Sequence, residues 1–248
     1  MKKSISIAIL LVMMFSLCAC SFNGVANQPT LTNAELWQVA EESSTPKDEN
    51  NTQLKMTMDM EMSYSGTNTT TTAVIEAIVK GDQAYMYMQS AGVEGEVWYR
   101  DNYLYYRSEY MGEVEKYKEP GTLDTIKDMI AEDASAEDFS FTPTTQEIES
   151  ATVVKQGVKT CMTITLLPAN HKKDFATLEE IGTVKSALIV ITFDSRNNVD
   201  SMEMIFEVGD ARLGMEAKIK VSVDLSRINN PRDIVFPDDL STYRVATN

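Results

Sequence analysis

From Leu54 the chain alternates strictly, with Leu54, Met56, Met58, Met60, Met62 and Tyr64 on one side and Lys55, Thr57, Asp59, Glu61 and Ser63 on the other. A period of two places successive side chains on opposite faces of a strand, so this stretch reads as strand with one dry face. Gly66 and Asn68 mark the turn that follows. Gly81-Asp82 suits a two-residue hairpin with glycine first, joining a strand over 71–80 to one over 83–89. That register sets Ala73, Ile75, Ala77 and Val79 beside Ala84, Met86 and Met88, with Glu76, Tyr85 and Tyr87 opposite. Asp101-Asn102, two residue types that tolerate positive φ, predicts another hairpin between strands over 96–100 and 103–107, and a strand over 113–118 follows.

Helical spacing appears in three places. Thr32 and Glu35 match a capping box before Leu36, Val39 and Ala40, predicting a short helix that ends near Ser43. Pro120-Gly121 breaks the strand pattern, and Thr122 caps a helix carrying Leu123, Ile126 and Ile130. A third helix is expected over 170–181, with Phe175, Leu178 and Ile181 inward. Strands are expected over 153–167 and 184–193, then over the alternating runs Met202 to Val208 and Met215 to Leu225. The two halves are alike in pattern but not in residue identity.

The count is about nine strands and three short helices. Strands that alternate this cleanly have one dry and one wet face, which demands an antiparallel sheet covered on a single side. Nine twisted strands curl, so the expected fold is α+β: a strongly curved antiparallel sheet, a half-barrel, wrapped around a few short helices.

The N-terminus changes the picture from a domain to an anchored domain. Lys2 and Lys3 precede an apolar run from Ile5 to Leu17 that is short for a permanent span, and Leu17-Cys18-Ala19-Cys20 has the form of a lipoprotein cleavage site. Residues 1–19 therefore read as a lipoprotein signal peptide, and Cys20 as the first mature residue. An ordinary secretory signal with an incidental Cys20 is the alternative. By resemblance to bacterial lipoproteins, Cys20 carries a diacylglycerol, two chains giving the stable attachment that one cannot. Residues 20–30 are the lipidated N-terminus and a polar tether; ten extended residues reach about 33 to 36 Å. Residues 31–248 form a single domain outside the cell membrane.

Charge narrows the partners. The chain has 22 basic and 37 acidic residues, and loss of Lys2 and Lys3 leaves 20 against 37, or −17. No nucleic acid is expected as a partner, and an anionic lipid surface repels the body of the protein, leaving attachment to the lipid anchor. The acid excess reads as a solvated surface, with a cationic partner as the alternative. Cys161 is stranded once Cys18 leaves and Cys20 is acylated, so the fold relies on no disulfide.

No catalytic motif, metal-ligand spacing or phosphate loop is found, so neither enzyme activity nor a cofactor is expected. The one histidine, His171, stands beside Lys172 and Lys173 and reads as a surface residue; Cys161, on a strand, reads as an inert thiol.

Three stretches resemble the LolA-like and LppX/LprG-like lipoproteins: Leu31-Thr32-Asn33-Ala34-Glu35-Leu36, Val97-Trp98-Tyr99-Arg100-Asp101-Asn102-Tyr103-Leu104-Tyr105, and Ile234-Val235-Phe236-Pro237-Asp238-Asp239-Leu240. The resemblance, over Leu31 to Tyr243, implies a half-barrel that encloses an apolar cavity, and a carrier of lipid with no shared catalytic motif. Leu36, Val39, Met56, Met58, Met60, Met62, Ile75, Ala77, Met86 and Met88 are the expected cavity lining, methionine being flexible enough to fit acyl chains of variable shape. The same methionines could equally fill an imperfectly packed core. Trp98, Tyr99, Tyr103, Tyr105 and Tyr106 could rim a cavity mouth, or simply pair across strands. Two readings stay open: a membrane-anchored lipoprotein that binds or carries a hydrophobic ligand, and a non-catalytic envelope lipoprotein with a self-filled core that meets another protein.

Overall fold

The computed structural model describes residues 47–132, 148–168, 178, 182–195 and 199–246. The expected helices over 32–43 and 170–181, the signal, the tether and His171 lie outside the described residues, except for Leu178.

The described chain holds twelve strands in one sheet: β1 (Asn51–Tyr64), β2 (Thr67–Lys80), β3 (Gln83–Ser90), β4 (Val93–Arg100), β5 (Tyr103–Tyr110), β6 (Glu113–Pro120), β7 (Ile148–Gln156), β8 (Lys159–Leu166), β9 (Thr183–Phe193), β10 (Val199–Asp210), β11 (Met215–Asp224) and β12 (Arg244–Val245). The order is β12-β6-β5-β4-β3-β2-β1-β11-β10-β9-β8-β7. Every pairing is antiparallel except β12 with β6. No pairing joins β7 to β12, so the sheet is open. Nine strands was an underestimate. The expected 153–167 strand is two, β7 and β8, because Gly157 adopts φ 64 and folds the run back on itself. The described residues hold one α-helix, α1 (Leu123–Glu132), rather than several.

The topology is two meanders that step across the sheet in the same direction, joined by one long crossover. The chain starts at the centre with β1, walks outward to β6, crosses with α1 to the far edge, and walks back through β7 to β11 beside β1. Tight turns carry the local steps. Asp101 and Asn102 have φ 54 and 64, the pair of left-handed residues that a hairpin turn of matching twist requires, and Gly81 has φ 62 where glycine was expected first.

Register builds the core. Pairing sets Met88, Ile75, Met56, Val223, Met202, Ile191 and Met162 in one row across seven strands of the inner face. The next row runs Ala73, Met58, Val221, Met204, Ile189 and Ile164. Methionine recurs on alternate strands in the first row, with β-branched residues between. Helix α1 covers part of this face over β3 and β4, with Ile126 fully buried. Its start is the expected cap: the Thr125 amide donates to Thr122 Oγ1 at 3.2 Å, and the Thr122 amide to Thr125 Oγ1 at 3.2 Å.

Part of the outer face of the first meander is apolar as well, along the row Ile78, Tyr85, Trp98 and Tyr105. After β11 the C-terminal chain crosses it as a strap. The Arg232 amide donates to Gln53 Oε1 at 3.0 Å, Lys80 meets Asp233 at 2.6 Å, the Trp98 indole donates to the Val235 carbonyl at 3.1 Å, and Lys116 meets Asp239 at 2.6 Å. The Arg100 guanidinium stands 5.3 Å over Phe236, and Tyr243 sits edge-on to Tyr105 at 5.8 Å. The strap ends as β12, beside β6. Beneath it Ile78 and Trp98 are 1% and 3% exposed, and Tyr243 on the strap is 3% exposed, all apart from the inner core cluster. The aromatic set of the sequence is thus split: Tyr99 and Tyr106 face inward, while Trp98, Tyr103 and Tyr105 lie on the strap side.

The Tyr243 hydroxyl is buried without a hydrogen-bond partner, and burial, with Asp239 and Glu96 nearby, pushes the phenol up to about 12. An unmet buried hydroxyl costs stability, so Tyr243→Phe should leave urea stability at pH 7 unchanged or raise it by up to about 1 kcal/mol. Between pH 10 and 12 the folded state keeps a proton that the unfolded chain loses, so this group lowers stability as pH rises through that window and has no effect below it. Comparison of wild type and Tyr243→Phe by urea unfolding at pH 9 and pH 11 should therefore show a larger loss in the wild type.

Candidate functional site

The expected lining residues on β1 to β3 do share one face. Leu54, Ala77 and Met86 form one cross-strand row, Met56, Ile75 and Met88 the next. Facing is as expected along β1, while depth varies. Met56, Ala77 and Met86 are 2%, 5% and 2% exposed and fill the core, whereas Met58, Met60, Met62 and Met88 are half-buried and pack against its margin. Leu36 and Val39, the expected helical wall, lie outside the described residues.

The half-buried stripe has a topological cause. β3 ends at Ser90, opposite Ala73, so among the described residues β2 beyond Ala73 pairs with β1 alone. The rows through Met60 and Met62 therefore stop at Thr71 and Thr69, both exposed. On the other side they continue through Ile219 and Phe206, and through Ala217 and Val208, into buried sheet. Among the described residues an apolar shelf results, anchored in core along one side and open along the other. The turns at this end of the sheet carry exposed apolar groups, among them Tyr64, Tyr110, Met111 and Leu213. The turns at the opposite end of the first meander are the polar pairs Gly81-Asp82 and Asp101-Asn102.

A depression of about 560 Å³ lies at the same end, and polar residues make up most of its lining. Glu61, Ser63, Asn68, Thr70, Glu207, Glu216 and Lys218, which the register puts on the outer face, contribute to it, and Met62, Ala217 and Val208 of the inner-face rows border it too. Of the expected lining residues only Met62 borders it. Lys185 bridges to Glu216 at 2.9 Å, which holds the Glu216 carboxyl below its ordinary range, and Ser186 donates to Glu207 at 3.1 Å. Sequence reasoning passed over this charged mosaic, although Glu61, Glu216 and Lys218 sit at the polar positions of alternating strands. The depression is a solvated surface rather than an acyl slot.

Nothing in the described residues assembles chemistry beyond this. They contain no group of three or more His, Cys, Asp or Glu side chains that could hold a metal ion, and none of their helices is long and apolar enough to cross a membrane. Cys161 is a free, half-buried thiol opposite Val154.

No protein-family model matches the chain, and no curated protein matches its sequence. Among solved structures it is similar to a LolA superfamily protein from Nitrosomonas europaea, at 9% identity and a TM-score of 0.25 over 85% of this chain and 97% of that one. It is similar also to a putative outer membrane lipoprotein-sorting protein domain from Vibrio parahaemolyticus, at 9% identity and a TM-score of 0.26 over 85% and 98%. A DUF1329 family protein from Desulfovibrio piger matches at 11% identity and 0.26 over 84% and 96%. The first two carry names of the kind that the sequence resemblance pointed to. At TM-scores this low they mark a likeness, and the reading below rests on the chain's own residues.

At the shelf end β9 and β10 approach closely. A Cβ on Gly182 would lie 2.9 Å from the Gly209 carbonyl carbon and oxygen, whereas one on Gly209 would meet the mobile end of Lys185 at 2.5 Å. Backbone cannot yield as a lysine tip can. Gly182→Ala should cost about 1–3 kcal/mol in urea unfolding, and Gly209→Ala clearly less.

Proposed function

We propose that this chain is an exported lipoprotein, held at the outer side of the cell membrane by a diacylglycerol on Cys20, that binds an apolar ligand of acyl-chain type on the inner face of its sheet. The reading assigns no catalytic step. The observation that carries it is the shelf of Met58, Met60 and Met62, half-buried, continuous with the core on one side and bordered on the other, among the described residues, by the exposed Thr71 and Thr69 alone. Unbranched, polarizable thioethers at a core margin can close over chains of different shape at small cost, which stiff β-branched residues cannot. The exposed Tyr64, Tyr110, Met111 and Leu213 at that end give a ligand an apolar approach.

One observation favours the other reading. Leu54, Met56, Ile75, Ala77 and Met86, the middle of the expected lining, are all 7% exposed or less, as in a core filled by its own side chains. Under that reading the shelf is the rim of a packed protein and the partner is another protein.

Replacement of Met60 and Met62 together by Gln separates the two, because it keeps length and removes apolarity where the side chains are only half-buried. Binding of a fluorescent fatty acid should fall by at least about tenfold, the loss of roughly 1.4 kcal/mol of apolar contact, with urea stability little changed. A wild type that binds no fatty acid and releases no lipid in native mass spectrometry leaves the self-filled reading in place.

For the anchor, Cys20→Ala should shift the protein from the membrane pellet to the soluble fraction, since cleavage before Cys18 would need bulky Leu17 where a small residue is required. Unchanged sedimentation with membranes would remove the lipid from the proposal.

A further inference from the structure

The hairpin that joins β5 to β6 ends in residues that the fold does not need. Met111 and Gly112 form its two-residue turn with φ 53 and 82, the left-handed pair that asparagine, aspartate and glycine fill best. The Asp101-Asn102 turn at the other end of β5 obeys that preference. Met111 breaks it with a bulky apolar side chain that is 83% exposed, and Tyr110, Val114 and Val93, the β4 residue opposite Tyr110, are 53%, 45% and 43% exposed beside it. Below the tip Glu94 and Glu109 stand directly opposite each other on neighbouring strands, a like-charge pair that weakens a sheet, and Glu113 and Glu115 are exposed. Arg107 and Lys116, the bases that flank the tip in sequence, are taken: Arg107 holds Glu96 at 3.1 Å and Glu109 at 2.6 Å, and Lys116 holds Asp239 at 2.6 Å. Glu94, Glu113 and Glu115 keep no basic partner among the described residues.

We propose that this tip docks a second protein, one that presents an apolar patch flanked by Lys and Arg. An exposed apolar patch with a polar rim marks a protein interaction site, and Tyr and Met are enriched there because a ring supplies area and a thioether adapts its shape. The rim here is anionic, so a cationic rim on the partner complements it. The same carboxylates disfavour the other covers: an anionic lipid surface is repelled, and so is a second copy of a chain with a net charge of −15. Both departures from good sheet chemistry, Met111 in the turn and Glu94 opposite Glu109, then serve the partner rather than the fold. The inference stands whether or not the inner face binds a ligand.

A dye-labelled synthetic helix of leucine and lysine, with leucine along one face, tests the partner's chemistry. Its anisotropy is read against the full-length protein in detergent and counted above protein-free micelles. Wild type should bind it, less tightly as NaCl rises from about 0.05 M to about 0.5 M. Met111→Asn should weaken binding at least about tenfold and Glu94→Gln about two- to fivefold. Both variants should also raise the urea midpoint, because each removes a feature that the hairpin tolerates poorly. Val158→Asn, in the exposed β7–β8 turn at the opposite end, should leave binding unchanged. A helix with serine in place of leucine should bind at least about tenfold more weakly. Equal binding of the two helices, indifference to Met111→Asn, or a fall in stability in both variants would each overturn the assignment. A bilayer as the true cover would show in phosphatidylcholine vesicles on a Cys161→Ser background. Met111→Cys would then react with an impermeant maleimide at least about tenfold more slowly than the similarly exposed Val158→Cys, and that result too would overturn it.

Discussion

The pairing of β1 with β11 is the constraint on which the rest depends. Ten residue pairs, from Lys55 with Asp224 to Tyr64 with Met215, join the start of one meander to the end of the other across most of the chain's length. A slip of one residue would turn Met56, Met58, Met60 and Met62 to the polar side and set Lys55, Asp59 and Glu61 against Val223, Ile219 and Ala217. Correct register instead aligns the inner rows through both meanders and the outer charges with one another, so that Lys220 reaches Glu203 at 2.7 Å across the neighbouring strand. One non-local contact thus decides both faces.

The first meander poses a problem that the second does not. Its outer face carries Ile78, Tyr85, Trp98 and Tyr105 in one row across β2 to β5, too apolar to leave to water. The strap resolves this with backbone groups and charges at its ends and rings in its middle. Exposed ion pairs such as Lys80 with Asp233 are worth at most about 1 kcal/mol each, so they set the strap's course more than its strength. Burial of Trp98 beneath Val235 and of Tyr243 against Tyr105 holds it down. The depression on the outer side of β1, β10 and β11 needs no such cover, because the register sets charged Glu61, Lys218 and Glu207 side by side across its three strands.

Legibility in the sequence followed contact range. Strand β1, the Gly81-Asp82 and Asp101-Asn102 turns, the Thr122 cap and the facing of the β2–β3 hairpin are local, and each is written in spacing or turn chemistry. Gly157 was equally available as a turn signal, but the apolar residues on either side of it read as one long strand. The β1–β11 register, the strap and β12 join residues more than a hundred positions apart, for which alternation gives no partner. The site divides the same way. That Met56 to Met62 face inward follows from period two, while the burial of Met56 and the half-exposure of Met60 depend on where β3 stops, which no local pattern states.

The placement of methionine joins the core to the proposed site. In the row from Met88 to Met162, a thioether side chain on β3, β1, β10 and β8 alternates with Ile75, Val223 and Ile191. Twist varies the spacing between neighbouring side chains across so wide a sheet, and a row of β-branched residues alone would leave gaps that fixed rotamers cannot close. Methionine fills such gaps at small strain, while its branched neighbours keep the row from becoming fluid. Gly95 shows the limit of this packing: beyond Met88 the row meets no side chain, and a Cβ there would already touch the Met88 methyl at 4.0 Å. Toward Met60 and Met62 the apolar partner on β2 is replaced by the polar, exposed Thr71 and Thr69, so the same flexible side chains keep an apolar wall on one side and meet a polar one on the other. A side chain selected to adapt inside the core then lies where an apolar guest could supply the missing apolar wall.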